Sequence, residues 1–171
     1  FQTSFEKSQE VYRITNGAFD PSVFPLVKLW GFVFDIDKKP EREKIDSVLQ
    51  FVGFEEEKLY TYENGILSKK DERFQLVFNA IAKGQAVDEI AKILDERGQK
   101  SYYVEIGGEL ITKGLNNRGS KWIIGIDEPV ESNTGIGGIG ERTLENYIEL
   151  SGKAMATSGN YRDFYELDGA K

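Results

Sequence analysis

The strongest constraint on the fold is a change of hydrophobic period near residue 98. Upstream of it, "AKGQAVDEIAKILDERG" spaces Val87, Ile90 and Leu94 three and four residues apart. That spacing predicts a helix over about 84–97, with Gly98 as its stop. Downstream come short runs rich in Tyr, Val, Ile and Trp: "SYYVEI", "ELITKG", "KWIIGID", "ATSG" and "NYRDFYEL", punctuated by Gly107-Gly108, Asn116-Asn117 and Gly152. "TLENYIEL" fits either period; Leu144, Ile148 and Leu150 on one strand face favour a strand. Helices early and strands late predict an α+β fold, a mostly antiparallel sheet with packed helices.

The first half reads less regularly. Residues 1–16 put Phe1, Phe5 and Tyr12 near one helical face, and Asn16-Gly17 ends it. Pro40 is predicted to open a helix carrying Ile45, Val48, Leu49 and Val52, with Gly53 at its end. "KLYTYENGILSKK" centres on Asn64-Gly65, a hairpin signal because a type I′ turn needs positive φ at both central residues. "RFQLVF" reads as a further strand. At 171 residues the chain is expected to form a single domain with a real core.

Composition narrows the chemistry. With 22 basic and 29 acidic residues the net charge is −7, which argues against nucleic acid and against a purely electrostatic hold on anionic lipid. There is no cysteine and no histidine, so thiolate chemistry and the commonest general base are unavailable. Any bound metal must be held by oxygen, which suits Mg²⁺ or Ca²⁺.

Several short motifs have a chemical and a plain reading. "GIGGIG" (Gly135, Gly137, Gly140) matches G-x-G-x-x-G, but the preceding strand ends near Asp127 and no helix follows, so it reads as a loop. Asp35 and Asp37 start "DIDKKPEREK", where Lys39 and Pro40 spoil a calcium loop and leave a solvated turn. Lys83-Gly84 is expected where a strand ends and a helix begins, either as a phosphate-binding lysine or as a surface lysine. Gly107-Gly108, flanked by Glu105 and Glu109, is either a tight turn or a place where a ligand approaches the backbone. Thr157-Ser158 before Gly159 either satisfies turn backbone or lines a site.

Taken in order, "TNGAFDPSVFPLVKLWGF", "AIAKGQAVD", "VEIGGEL" and "ATSGNYRDF" resemble the ApbE family, the FAD:protein FMN transferases, over about residues 10–166. The resemblance implies that Ala18, Phe19 and Asp20 contact FAD while Phe19 and Trp30 offer apolar area to a flat ring. Asp20-Pro21 would fix a turn there; Phe24, Leu26 and Phe32 read as a packed core loop. It further implies that the Ala80 carbonyl ligates Mg²⁺, that Lys83 reaches the FAD phosphates, and that Gly107, Gly108, Thr157 and Ser158 belong to the same flavin cleft. Val77 stands where many relatives carry aspartate, so that polar contact is not carried over.

The implied reaction moves FMN from FAD onto a Thr or Ser hydroxyl of a target flavoprotein and releases AMP. Alternatives are hydrolysis of FAD to FMN and AMP, or a non-catalytic flavin-binding lipoprotein. The implied location is the periplasmic face of a bacterial inner membrane, held by a lipid anchor outside residues 1–171. The family's Met-Gly-Thr and His-x-Ile-Asp-Pro-x-Thr-Gly segments have no counterpart here. Both ends are therefore expected to lie within a longer chain, and residues 1–171 alone to transfer FMN poorly. No residue is assigned as the base.

Overall fold

The computed structural model describes residues 1–32, 39–128 and 144–159. The G-x-G-x-x-G match, Asp35, Asp37 and the strand expected at "NYRDFYEL" lie outside them. The chain divides into two compact units, Phe1–Ala82 and Lys83–Lys171.

In the first unit, α1 (Gln2–Ile14) ends where predicted, with Asn16 and Gly17 both at positive φ. A 3-10 turn (Pro21–Val23) leads into the short helix α2 (Phe24–Leu29). Asp20 caps that turn: its Oδ1 accepts from the Ser22 N–H at 2.8 Å and from Ser22 Oγ at 2.6 Å. Helix α3 is Arg42–Leu49 with Glu41 at its N-cap, so it starts after Pro40 and stops well short of Gly53. Strands β1 (Tyr60–Glu63) and β2 (Ile66–Lys69) form the predicted hairpin, with Asn64 and Gly65 at φ 53° and 79°.

The core of this unit is aromatic. Phe5, Phe54, Tyr60 and Phe74 are buried together, with ring centroids 5.2–5.6 Å apart. The segment "RFQLVF" is not a strand. It buries Phe74, and the Val77 N–H donates to Pro21 O at 2.8 Å. A short apolar run does not distinguish a paired strand from an extended core-lining segment. Phe32, expected in a packed core loop, is 55% exposed, whereas Phe24 and Leu26 are half-buried.

Helix α4 spans Asn79–Glu96 and crosses the boundary between the units. It starts five residues earlier than the spacing of Val87, Ile90 and Leu94 predicts. Phe78 O accepts the Ile81 and Ala82 N–H groups at 2.9 and 2.8 Å, closing the first turn upstream of Lys83. Ala80 and Ala82 favour the helix enough to carry it through Gly84, which costs about 1 kcal/mol relative to alanine.

In the second unit α4 packs on a three-stranded antiparallel sheet in the order β3-β4-β7: β3 Tyr102–Ile106, β4 Glu109–Lys113 and β7 Ala154–Met155. Val87, Ala91, Tyr102 and Val104 form its core. Ile90, expected on the buried face, is 39% exposed; Ala91 takes its place. Two further strands, β5 (Trp122–Asp127) and β6 (Leu144–Leu150), pair antiparallel, as the strand reading of "TLENYIEL" requires. The strand predicted at "ATSG" lies upstream, at Ala154–Met155.

Candidate functional site

The β3–β4 connection is the two-residue turn Gly107-Gly108. Both glycines have positive φ, 56° and 92°, as a type I′ turn demands. Both are also crowded. A Cβ on Gly107 would stand 3.1 Å from Lys83 Cδ, and one on Gly108 would stand 2.7 Å from Thr157 Oγ1. The bare backbone of the turn is thus flanked by a lysine on one side and a threonine on the other.

The fold explains why these residues meet. Lys83 stands four residues before Val87 and eight before Ala91, so it continues the stripe of α4 that packs on the sheet. Its ammonium donates to Gly107 O at 3.1 Å and lies 2.7 Å from Glu109 Oε2. Thr157 arrives through the β4–β7 register. Leu110 pairs with Met155, so two residues further Thr157 comes opposite Gly108, and its Oγ1 donates to Gly108 O at 3.3 Å. Ser158 is exposed next to it.

Lys83 is not at a helix start: it is the fifth residue of α4. The free-N–H argument for anion binding therefore does not apply to it. What it offers is an ammonium at a glycine turn. Thr157 supplies the backbone-satisfying bond of its plain reading and stands on the turn. Glu109, noted in the sequence only as a flank of the glycines, is the carboxylate that faces Lys83. The sequence signal for Lys83 was the AIAKG motif; nothing local marks its pairing with Glu109.

On the opposite face of β3, Tyr103 donates to Glu105 Oε2 and stacks on Trp122 with centroids 5.8 Å apart. Burial, helped by the Glu105 carboxylate, pushes the Tyr103 hydroxyl up to about 12.

Ala18, Phe19 and Asp20 belong to the first unit. Ala18 is exposed, and Phe19 is half-buried with its N–H donating to Thr15 Oγ1 at 3.1 Å. Asp20 spends one carboxylate oxygen on the Ser22 cap. Ala80 is the second residue of α4. A helical carbonyl there points along the axis to the N–H four residues on, with one lone pair left for another partner. Among the described residues no group of three or more His, Cys, Asp or Glu side chains could hold a metal ion. Mg²⁺ takes about six oxygens in octahedral geometry, so these residues do not by themselves fit a magnesium site.

The ApbE family model matches residues 1–171. An FAD:protein FMN transferase of Vibrio cholerae is 38% identical over 160 residues, covering 92% of this chain and 45% of that protein. Its counterpart in Haemophilus influenzae is 37% identical over 164 residues, covering 93% and 45%. Among solved structures, the flavin transferase ApbE from Vibrio cholerae has a TM-score of 0.76 at 34% identity, over 96% of this chain and 50% of that one. The ApbE protein from Thermotoga maritima has a TM-score of 0.77 at 27% identity, over 99% and 52%. The chain spans about half the length of the curated relatives it matches. The ordered motifs, the α+β fold and the match along the whole chain together establish that it belongs to the ApbE family.

Proposed function

We propose that this chain forms part of an FAD:protein FMN transferase and that its Lys83, Gly107, Gly108 and Thr157 cluster receives the FAD pyrophosphate. The observation that carries the reading is the Lys83 ammonium standing at a turn of two glycines, whose own lack of side chains lets Lys83 and Thr157 approach the backbone closely. A phosphate needs positive charge and close approach, and a lysine over bare backbone offers both.

In this reading a Thr or Ser hydroxyl of the target flavoprotein attacks the FMN-side phosphorus. The new O–P bond forms as the P–O bond to the bridging oxygen breaks. AMP leaves with that oxygen, and the hydroxyl proton passes to a base. Lys83 draws charge from the phosphoryl oxygens, the kind of positioning and electrostatic help that phosphoryl transfer chiefly needs. Ala18, Phe19 and Asp20 are assigned to FAD, and Ser158 to the same cleft, by family resemblance.

Mg²⁺ dependence is part of the proposal, with the Ala80 carbonyl as one ligand, but no step is assigned to the metal. Anchoring to the bacterial inner membrane through a lipid outside residues 1–171 also remains a proposal; no helix of the described residues is long and apolar enough to cross a membrane.

The test is incubation of the whole protein to which this chain belongs with FAD, Mg²⁺ and a target flavoprotein, followed by mass spectrometry. A covalent FMN adduct on Thr or Ser with stoichiometric AMP is expected. Free FMN and AMP without an adduct would mean hydrolysis, and retained intact FAD would mean a binding protein; either outcome overturns the transferase reading.

A further inference from the structure

The ion pair between Lys83 and Glu109 differs from the others described. Pairs such as Lys7–Glu10 and Arg42–Asp46 join side chains that are each more than half exposed. Such pairs contribute little and hold nothing in place. The Glu109 side chain is only 18% exposed, while that of Lys83 is 45% exposed. Glu109 Oε2 is enclosed and accepts no well-aligned hydrogen bond, so the ammonium 2.7 Å away is what compensates its charge. A half-buried carboxylate facing an ammonium makes a charge-assisted contact, so the pair restrains a side chain that would otherwise sample many rotamers.

The direction of the restraint matters. Glu109 begins β4, directly after Gly108, and is held by the β3–β4 ladder through its pairing with Ile106. Lys83 is the long, half-exposed member. The rigid partner sets where the ammonium stands, and the open side of the ammonium is left for a further anion.

We propose that Glu109 is a positioning residue: its enclosed carboxylate holds the Lys83 ammonium at the Gly107-Gly108 turn, ready for a phosphate group of the substrate. This rests on the proposed placement of the FAD pyrophosphate at that turn. Glu109 itself contacts no phosphate; two anions would repel. Its effect passes through Lys83, and the two residues act as one unit.

The test is a double-mutant cycle in the whole protein. Glu109→Gln, Lys83→Ala and the double variant are compared with wild type for FAD affinity, for kcat and KM of FMN transfer, and for melting temperature; Glu109→Asp provides the conservative variant. Glu109→Gln is expected to lower kcat/KM by roughly tenfold to a hundredfold, as loss of a charge-assisted contact allows. In the Lys83→Ala background the same change should add almost nothing, and Glu109→Asp should recover part of the loss because it keeps the charge.

Additive losses would overturn the positioning role, as would FAD binding that tightens in Glu109→Gln or a loss that merely tracks the unfolded fraction. Lys83→Ala impaired with Glu109→Gln normal would overturn it as well, while leaving the phosphate site standing. Lys83→Ala with normal FAD affinity and normal transfer would overturn the phosphate site itself.

Discussion

The two units solve the problem of a core in different ways. In Phe1–Ala82 four buried aromatic rings meet edge to face and face to face, gathered from a helix, a hairpin and two irregular segments. In Lys83–Lys171 one helix lies on a sheet, and Val87 and Ala91 pack on Tyr102 and Val104. The aromatic core depends on a few large side chains. The helix-on-sheet core depends on register, and register also delivers Lys83, Glu109 and Thr157 to one turn. A large loss of stability is therefore expected from truncating a buried ring of the first unit, and a loss of function at little cost in stability from truncating Lys83 at the turn of the second.

The largest effect is expected from Phe5→Ala. Phe5 is fully buried and touches Phe54, Tyr60 and Tyr62 through its ring. Truncation should cost about 3–5 kcal/mol, read by thermal or chemical unfolding. A loss below about 1 kcal/mol would show that the aromatic cluster is not what holds the unit together.

Lys83→Ala makes the opposite case. Its side chain is 45% exposed, so stability should fall by less than about 1 kcal/mol. A charge aimed at a transferring phosphate is worth about 2–4 kcal/mol in the transition state. FMN transfer should then drop on the order of a hundredfold with a nearly unchanged melting temperature. Normal turnover would make Lys83 an ordinary surface lysine.

Gly108→Ala lies between the two. The new methyl meets Thr157 Oγ1 and sits at φ 92°, a region alanine resists. A cost of about 1–3 kcal/mol in a melt is expected, with weakened FAD binding alongside it. A neutral Gly108→Ala would show that the turn is not tightly held.

Asp20→Ala sharpens the comparison inside the first unit. Removing the cap leaves buried Ser22 without its carboxylate partner, though Ser22 Oγ still accepts from the Gly53 N–H at 2.7 Å. A loss of about 1 kcal/mol is expected in a melt. FAD affinity measured on the same variant tells whether Asp20 does more than cap.

The smallest effect is a pH dependence at Tyr103. Its hydroxyl is held up to about 12, so the folded state prefers the protonated phenol. That preference is fully present below the ordinary tyrosine value of about 10 and is lost as pH rises through about 12. Tyr12, Tyr60, Tyr62 and Tyr102 are also held up, so titration of tyrosinate absorbance should show one fewer late-ionising group in Tyr103→Phe than in wild type.

Much of this was legible in the sequence, because local chemistry dictated it. Asn64-Gly65 forms its hairpin, Gly98 ends α4, and Gly107-Gly108 turns between two strands. Errors came where tertiary packing decides. "RFQLVF" has strand composition but lines an aromatic core without a ladder partner, and α4 begins at Asn79 because Phe78 O closes its first turn. Ala91 carries almost no hydrophobic signal, so Ile90 looked like the core residue. At the site, Lys83, Gly107, Gly108 and Thr157 could be named from motifs. The partnership of Lys83 with Glu109 could not, because it joins a helix to a strand across a long stretch of chain.

The central claim is that the FAD pyrophosphate lies at the Lys83 and Gly107-Gly108 turn. A crystal structure of the protein with FAD bound tests it most directly. The account predicts a phosphate oxygen within hydrogen-bonding distance of Lys83 Nζ, about 3 Å, with Glu109 still paired to the same ammonium. A pyrophosphate bound elsewhere, with Lys83 facing only Glu109 and solvent, would contradict it.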